Sequence, residues 1–553
     1  MFICVCAFFV VPLHEIWFFE NTIRFMKKIY LFLLLLLPLS VCAQEKIMLI
    51  ADPHVLASSL VEEGAAFDSM MQKQRKMIDM SEVAFCALVD TALQYKPALV
   101  LIPGDLTKDG EMESHDVVIA QINKLIAAGI NVLAIPGNHD IGGKAYAYRG
   151  AEAVAVETLA DSDWESTYNM IYSQVLAKDP ASHSYVAEPL RGVTVLGIDA
   201  LHNDGEGYLS EESLTWILAQ ADAAKEKGNM VLAMCHWQVL EHVDDGGVIA
   251  ESSARLQSAD SVRDALMAHG VRMLLTGHVH INSISTFRDT TALTNDSIIE
   301  VSTGSPITYP CPYRWLTLSE DRSSVAISTA ELATLPGYDN LTDYSRLWMK
   351  EHITVLLPTL FVRLYDKTEA VMIKKVEEVL ASVPMGTMLI SMFKQTLPQT
   401  DEAKYALVDK HFSSTIIDLY LLHSAANEPQ HAEADSLAQA MYAGIDAMIH
   451  ELTDAVLKSY ASMQAAMIAH VQNMNRPAIQ SLVEDRTHWA TPYSDQTDDL
   501  SGEWVINAAL PYSNVENVTN MVTDGVVYDI LGRRIADTTQ HGIYIQNGKK
   551  FIK

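Results

Sequence analysis

Between residues 46 and 330 the sequence alternates short apolar runs with longer amphipathic stretches, and this alternation limits the folds open to the chain more than any other feature. The runs are Ile47–Ala51, Leu99–Ile102, Val132–Ile135, Val193–Ile198, Val231–Met234, Met273–Leu275 and Ile298–Val301. Short runs without polar alternation fit strands buried on both faces. Met77–Tyr95 and Asp116–Ala128, which lie between such runs, place apolar residues at helical spacing. Strands alternating with helices predict an α/β fold whose sheets are covered by helices.

Five short motifs follow five of these runs. They are Asp52-Pro53-His54, Gly104-Asp105, Gly137-Asn138-His139-Asp140, His236, and Gly277-His278-Val279-His280. Ligand sites in α/β sheets are built at the carboxyl ends of strands, so the five loops are expected to converge. Residues two apart on an extended segment point the same way, which lets Asp52 with His54, and His278 with His280, reach one site. Carboxylate, amide and imidazole groups without a thiolate suit Mn, Fe or Zn. Asp105 has two oxygens and is able to bridge two cations. Any one of these motifs alone is commonly a turn or a core contact. The ordered set of five, each behind a strand run, points to chemistry.

This set resembles the calcineurin-like metallophosphoesterase superfamily over about residues 45–320. The resemblance implies a four-layer β-sandwich flanked by helices and a centre of two divalent or trivalent metal ions. Carried over motif by motif, Asp52, His54 and His280 are implied as ligands of one metal, and Asn138, His236 and His278 as ligands of the other. Asp105 is implied as the bridge. His139 matches the histidine that assists the leaving group without binding metal, with Asp140 as its expected orienting acid. The implied reaction is hydrolysis of a phosphoester by a metal-bridging hydroxide, the two metals being about 3.5–4 Å apart.

Departures from the pattern narrow the branch. The stretch Gly104-Asp105-Leu106-Thr107-Lys108-Asp109-Gly110 has no arginine, unlike the protein Ser/Thr phosphatases. Lys108 stands where purple acid phosphatases place a tyrosine, and His54 where they lack a histidine. The string looks instead like the cyclic-nucleotide-type phosphodiesterases and their exported relatives. Ser302-Thr303-Gly304-Ser305-Pro306 and Tyr313-Arg314 also look like that branch and are expected near the site. A phosphomonoester dianion needs more fixed cations than a diester, yet the arginine after Gly104-Asp105 is missing and the overall field is negative, so that Arg314 is the one motif-adjacent arginine that could compensate. A diester is therefore the expected substrate. The alternatives are a nucleotide or sugar monophosphatase, a sphingomyelinase-like lipid diesterase, and a non-enzymatic surface protein acting through its C-terminal half. The substrate is thus a small phosphoester, with nucleotide and lipid head groups both open. His115, His183, His202 and His242 lack paired spacing and are expected at the surface or in the core. Trp237 is expected to pack beneath the sheet.

The chain has 69 acidic against 39 basic residues, a net charge of −30. Such a field repels phosphate backbones, so no stable nucleic-acid complex is expected. The segment Met26-Lys27-Lys28 followed by Leu31–Leu37 and Val41-Cys42-Ala43 reads as a signal peptide with Gln44 as the mature start. Residues 1–43 are thus a leader, Met26 being the expected true start, and the protein is expected in the periplasm, on the outer-membrane surface or secreted. Cell-envelope association is an expected consequence. After cleavage Cys86, Cys235 and Cys311 remain, an odd number.

The expected organisation is 44–330 for the phosphoesterase domain, 331–480 for an all-α domain, and 481–553 for a linker and short β tail. Pro358, Pro384, Pro398, Pro429 and Pro477 are expected to punctuate the helices. Leu437, Met441, Ile445, Met448, Leu452, Val456, Tyr460, Met463, Met467 and Val471 keep a spacing of three or four, which predicts one long helix over 431–475 with its Met-rich stripe in a core. Residues 480–505 read as a polar linker. The last 30 residues read as two or three strands with a turn at Asn547-Gly548, and resemble the sorting-type tails of Bacteroidetes exported proteins.

Overall fold

A computed structural model describes residues 44–552 except 202–205, 243–254, 290–295, 356, 382–383, 428–431, 482–492, 496–498, 507–526, 530–533, 536–542 and 547–548. The expected leader, His202, Pro429 and the Asn547-Gly548 turn lie outside the described residues. Residues from Glu45 onward form one compact unit.

Two sheets build the sandwich. The first runs, edge to edge, Ser501–Val505, Ser324–Glu331, Pro312–Leu318, Lys46–Leu49, Leu99–Pro103, Asn131–Ile135. The second runs Tyr493–Asp495, Ser283–Arg288, Ser297–Ser302, Met273–Thr276, Met230–Cys235, Val193–Ile198, Tyr185–Leu190, Ala177–Lys178. In the first sheet the parallel strands Lys46–Leu49, Leu99–Pro103 and Asn131–Ile135 run out to one edge, with antiparallel strands on the other side; in the second sheet parallel strands lie at the centre with antiparallel ones on both flanks. Period-two alternation sorts the second sheet's side chains. Met230, Leu232 and Met234 enter the core shared with the first sheet. Val231, Ala233 and Cys235 face the opposite way, into a separate core with the helices Glu211–Glu226 and Ala259–Ala268. The helices Ser81–Tyr95 and Met112–Ala127 supply Phe85, Leu88, Val118 and Ile122 to the shared core. Helix, sheet, sheet and helix are the four layers, and all seven apolar runs are strands or overlap them.

Helices dominate residues 341–481 and have their own core. The expected single helix over 431–475 is two. Ala434–Leu457 ends in a 3-10 turn, Lys458–Tyr460, and Ala461–Ser481 folds back along it. The Gln472 amide donates to the Tyr442 carbonyl at 3.1 Å, a contact that a straight helix would forbid. The ten stripe residues do pack into that core. Pro477 lies inside the second helix instead of ending one. No described helix is long and apolar enough to cross a membrane.

Residues 480–505 do not merely link. Tyr493–Asp495 pairs with Ser283–Arg288, and Ser501–Val505 with Ser324–Glu331, so the chain returns and adds an edge strand to each sheet. Arg314 holds this return. It is fully buried, and Nη1 donates to the Asp499 carbonyl at 2.7 Å and to Thr329 Oγ1 at 2.9 Å, while Nη2 donates to the Ser302 carbonyl at 2.9 Å. Arg314 is therefore a structural residue, and Tyr313 packs against Trp315. The tail forms a four-stranded antiparallel sheet of Val527–Asp529, Arg534–Ile535, Ile543–Gln546 and Lys549–Ile552, one or two strands more than expected. Cys86, Cys235 and Cys311 are all free.

Candidate metal centre

The strands ending at Leu49, Pro103, Ile135, Cys235 and Thr276 deliver the five motifs to one end of the sandwich. Their loops template one another. The His54 amide donates to the Asp105 carbonyl at 2.9 Å, and the Gly277 amide to the His236 carbonyl at 3.1 Å. Asp52 and His54 do reach one site, as do His278 and His280, but not along extended backbone. Asp52, His54, Asp105, His278 and His280 have φ of 50°, 43°, 50°, 68° and 61°. Left-handed backbone costs a non-glycine residue about 1–3 kcal/mol, and it persists where the surroundings over-determine it, typically at functional sites. Two glycines make room for the carboxylates. A Cβ on Gly137 would overlap Asp105 Oδ1, and one on Gly277 would overlap Asp52 Oδ2.

Two groups of potential ligands result: Asp52, His54, Asp105 and His280, and Asp105, His236 and His278. His54 Nε2 and His280 Nε2 face each other at 2.9 Å. His280 Nε2 lies 3.6 Å from Asp52 Oδ1. In the second group His236 Nε2 is 3.1 Å from Asn138 Oδ1 and 3.3 Å from His278 Nδ1. Asp105 joins the groups through one atom: Oδ2 lies 3.4 Å from His54 Nε2 and 3.4 Å from His236 Nε2. Its other oxygen, Oδ1, accepts from the His139 amide at 2.9 Å. Both Asp52 oxygens accept from the His278 amide. His236 donates from Nδ1 to the Pro103 carbonyl at 2.8 Å, so Nε2 is the ring nitrogen turned toward the cluster.

Electrostatics favour cations here. Burial holds His54 and His280 well below the usual imidazole range and His278 down to about 3, so these rings are neutral donors near pH 7. Burial would lift Asp105, but His236, His139 and His54 outweigh it and hold its carboxyl well below the carboxylate range. Burial does lift Asp52, to about 8, against the pull of His236. Burial would lower His236, but the Asp105 carboxylate raises it to about 9. Two buried carboxylates thus compete for one imidazolium, a balance that bound cations relieve. Ligand bonds of about 2.1 Å put neighbouring donors roughly 3.0–3.4 Å apart, close to the spacings seen. The donor set, its mutual distances and the space left by the glycines all fit a binuclear metal-binding cluster.

His139 stands beside this cluster, its ring centre 4.8 Å from that of His54. Asp140 does not orient it. The Asp140 carboxylate accepts from Thr107 N at 2.8 Å, Thr107 Oγ1 at 3.0 Å and Gly137 N at 2.9 Å, and so braces the second motif against the third. The partners of His139 Nδ1 are the Lys108 carbonyl at 2.6 Å and Asp109 Oδ1 at 3.1 Å. Ser305 Oγ donates to the Asp52 carbonyl at 2.7 Å, which puts that loop behind the site as expected. Trp237 is buried, 4.9 Å from the His236 ring and 5.4 Å from the His278 ring, and packs the ligands. His115 is a core residue between Tyr168 and the Asp140 carbonyl. His183 pairs with Asp161, and His242 is buried against Ser283.

The motif reading passed over Arg75 and Lys76. Lys76 is buried, with Nζ 3.4 Å from each ring nitrogen of His54.

The calcineurin-like phosphoesterase profile matches residues 45–282. A "Probable cyclic nucleotide phosphodiesterase" from Rhodococcus erythropolis is 23% identical over 257 residues, which is 45% of this chain and 73% of that protein. Among solved structures, a dimetal phosphatase from Danio rerio is 16% identical, with 52% of this chain and 97% of that chain covered and a TM-score of 0.36. A purple acid phosphatase from yellow lupin (Lupinus luteus) seeds is 14% identical, with 52% of each chain covered and a TM-score of 0.35. The profile spans all five strand-end motifs, and the segment that carries them belongs to the calcineurin-like phosphoesterase family.

Proposed function

We propose that this protein hydrolyses phosphodiesters with two metal ions, of Mn, Fe or Zn type, held by Asp52, His54, Asp105, Asn138, His236, His278 and His280. The observation that carries the two-metal reading is the position of Asp105 Oδ2, at 3.4 Å from a histidine of each ligand group. Bound metals supply Lewis acidity at the phosphoryl group and an activated water. The protein's own part is to hold the ligands rigidly and to place His139 beside them for the leaving group.

Support for a diester comes from the description of the Rhodococcus relative. Charge adds nothing to that support: Arg314 is taken up by the Asp499 and Ser302 carbonyls, whereas Lys76 lies beside His54 and Arg75 is its neighbour in sequence. These cations favour the second reading, a phosphomonoester, because a dianion gains more from added fixed charge. The test is the ratio of kcat/KM for bis-p-nitrophenyl phosphate to that for p-nitrophenyl phosphate at matched metal content. We expect a ratio above one, and a ratio well below one replaces the diester reading with the monoester one.

Export is proposed from the leader sequence. Protein recovered from its native cells should begin near Gln44 on N-terminal sequencing. A chain that still begins at Met1 or Met26 would sink this proposal.

A further inference from the structure

Arg75 and Lys76 follow the helix Ala65–Met71 and belong to none of the five motifs. Their segment is tied down at Met77, whose amide donates to the Ile307 carbonyl at 2.9 Å. It therefore lies against the same loop whose Ser305 supports Asp52. The Arg75 guanidinium donates from Nη1 to the Tyr420 hydroxyl, and its Cζ lies 5.8 Å from the centre of that ring. The next residue, Lys76, sets Nζ 3.4 Å from each ring nitrogen of His54, so the segment that carries Arg75 lies against the ligand cluster. Among the described residues neither Arg75 nor Lys76 forms an ion pair with a carboxylate, although acids outnumber bases 69 to 39 in this chain. Against the pull of burial and of Arg75, the Asp105 and Asp109 carboxylates favour the charge on Lys76, whereas the Arg75 guanidinium, held by a neutral hydroxyl, still has donors for an anion.

We propose that Arg75 binds an anionic oxygen of the substrate's phosphoryl group and that Tyr420 is its positioning residue. The proposal rests on the phosphoester reading above. A guanidinium has five donors in a rigid fork, and one hydroxyl engages only part of it. A neutral hydroxyl also aims the group without cancelling its charge, as a carboxylate would. Tyr420 belongs to the helix Asp401–Ala425, and around it Met349, Ile353 and Leu421 of the helical region form an apolar cluster with Tyr309 of the loop beyond Ser305. The helical region thereby completes the substrate site.

The test uses the full-length, metal-loaded protein and inorganic phosphate as the probe, with affinity read by titration calorimetry and metal content measured in parallel. Charge-assisted hydrogen bonds predict that Arg75→Gln weakens phosphate binding roughly ten- to a hundredfold while both metals stay bound. Tyr420→Phe should weaken it less, and should raise KM for p-nitrophenyl phosphate more than it lowers kcat. Arg75→Lys should recover part of the loss. Phosphate affinity in Arg75→Gln indistinguishable from wild type, at full metal content, overturns the proposal. Weakening in Arg75→Gln with none in a folded Tyr420→Phe overturns the positioning role. Should Tyr420→Phe not fold, the two Arg75 variants still decide the anion site. If the wild type binds phosphate but turns over no phosphoester, the hydrolase reading fails, while the calorimetry still judges Arg75.

Discussion

Asp105→Ala is expected to lose both metals together and to abolish measurable turnover. Oδ2 of this residue lies 3.4 Å from a histidine of each ligand group, so one substitution strikes both sites at once. The remaining donors are mostly neutral imidazoles and one amide, with Asp52 the other carboxylate. The sites then hold cations against poorer charge balance. A two-metal centre supplies several kcal/mol of transition-state stabilisation, so the loss in kcat/KM should be on the order of 10³-fold or more. Elemental analysis of dialysed protein checks the metal claim independently of the kinetics. Two retained equivalents in Asp105→Ala would refute the bridging role. Asp105→Asn sharpens the test, since it keeps an oxygen for the His139 amide but removes the charge.

His139→Ala should keep its metals and lose roughly 10²–10⁴-fold in turnover, the range for general acid catalysis. The Lys108 carbonyl lies 2.6 Å from Nδ1 and takes the proton there, so Nε2 is the atom from which the ring would serve a leaving group. The loss should therefore grow as the leaving group becomes more basic. A series of aryl phosphoesters of graded leaving-group pKa reads this directly, as a steeper slope in the variant. Equal losses along the series would assign His139 a purely positional role. Its amide bond to Asp105 Oδ1 is a backbone contact that alanine retains, so the bridging ligand should stay in place.

The candidate ligands are legible in the sequence because each is punctuated. A strand run precedes every motif, and glycine opens three of the five. What positions them was less legible. The paired residues enter by left-handed backbone, a property that no side-chain pattern announces. Asp109 and the Lys108 carbonyl, not the adjacent Asp140, hold His139, because the loop between the second strand and its helix folds over the third motif. Arg75 and Lys76 belong to no motif, since the nearness of Lys76 to His54 goes with a tether from Met77 to residue 307, far away in sequence. The helical hairpin escaped for a different reason. Both arms bury the same kind of face, so the spacing of three and four runs unbroken through the 3-10 turn at Lys458–Tyr460, where no glycine or proline marks the reversal.

The strands that close both sheets at their edges come after the helical region in the chain. On the ribosome, Ser283–Arg288 and Ser324–Glu331 are made first, and their edge partners Tyr493–Asp495 and Ser501–Val505 follow only after roughly 205 and 170 more residues, which take about 8–40 s at usual synthesis rates. Through that interval each sheet offers an unpaired edge to any neighbouring nascent chain. The position of the return strands thus sets a window of vulnerability during biosynthesis, and it makes the interval before residue 505 is translated the period in which a chaperone has most to protect.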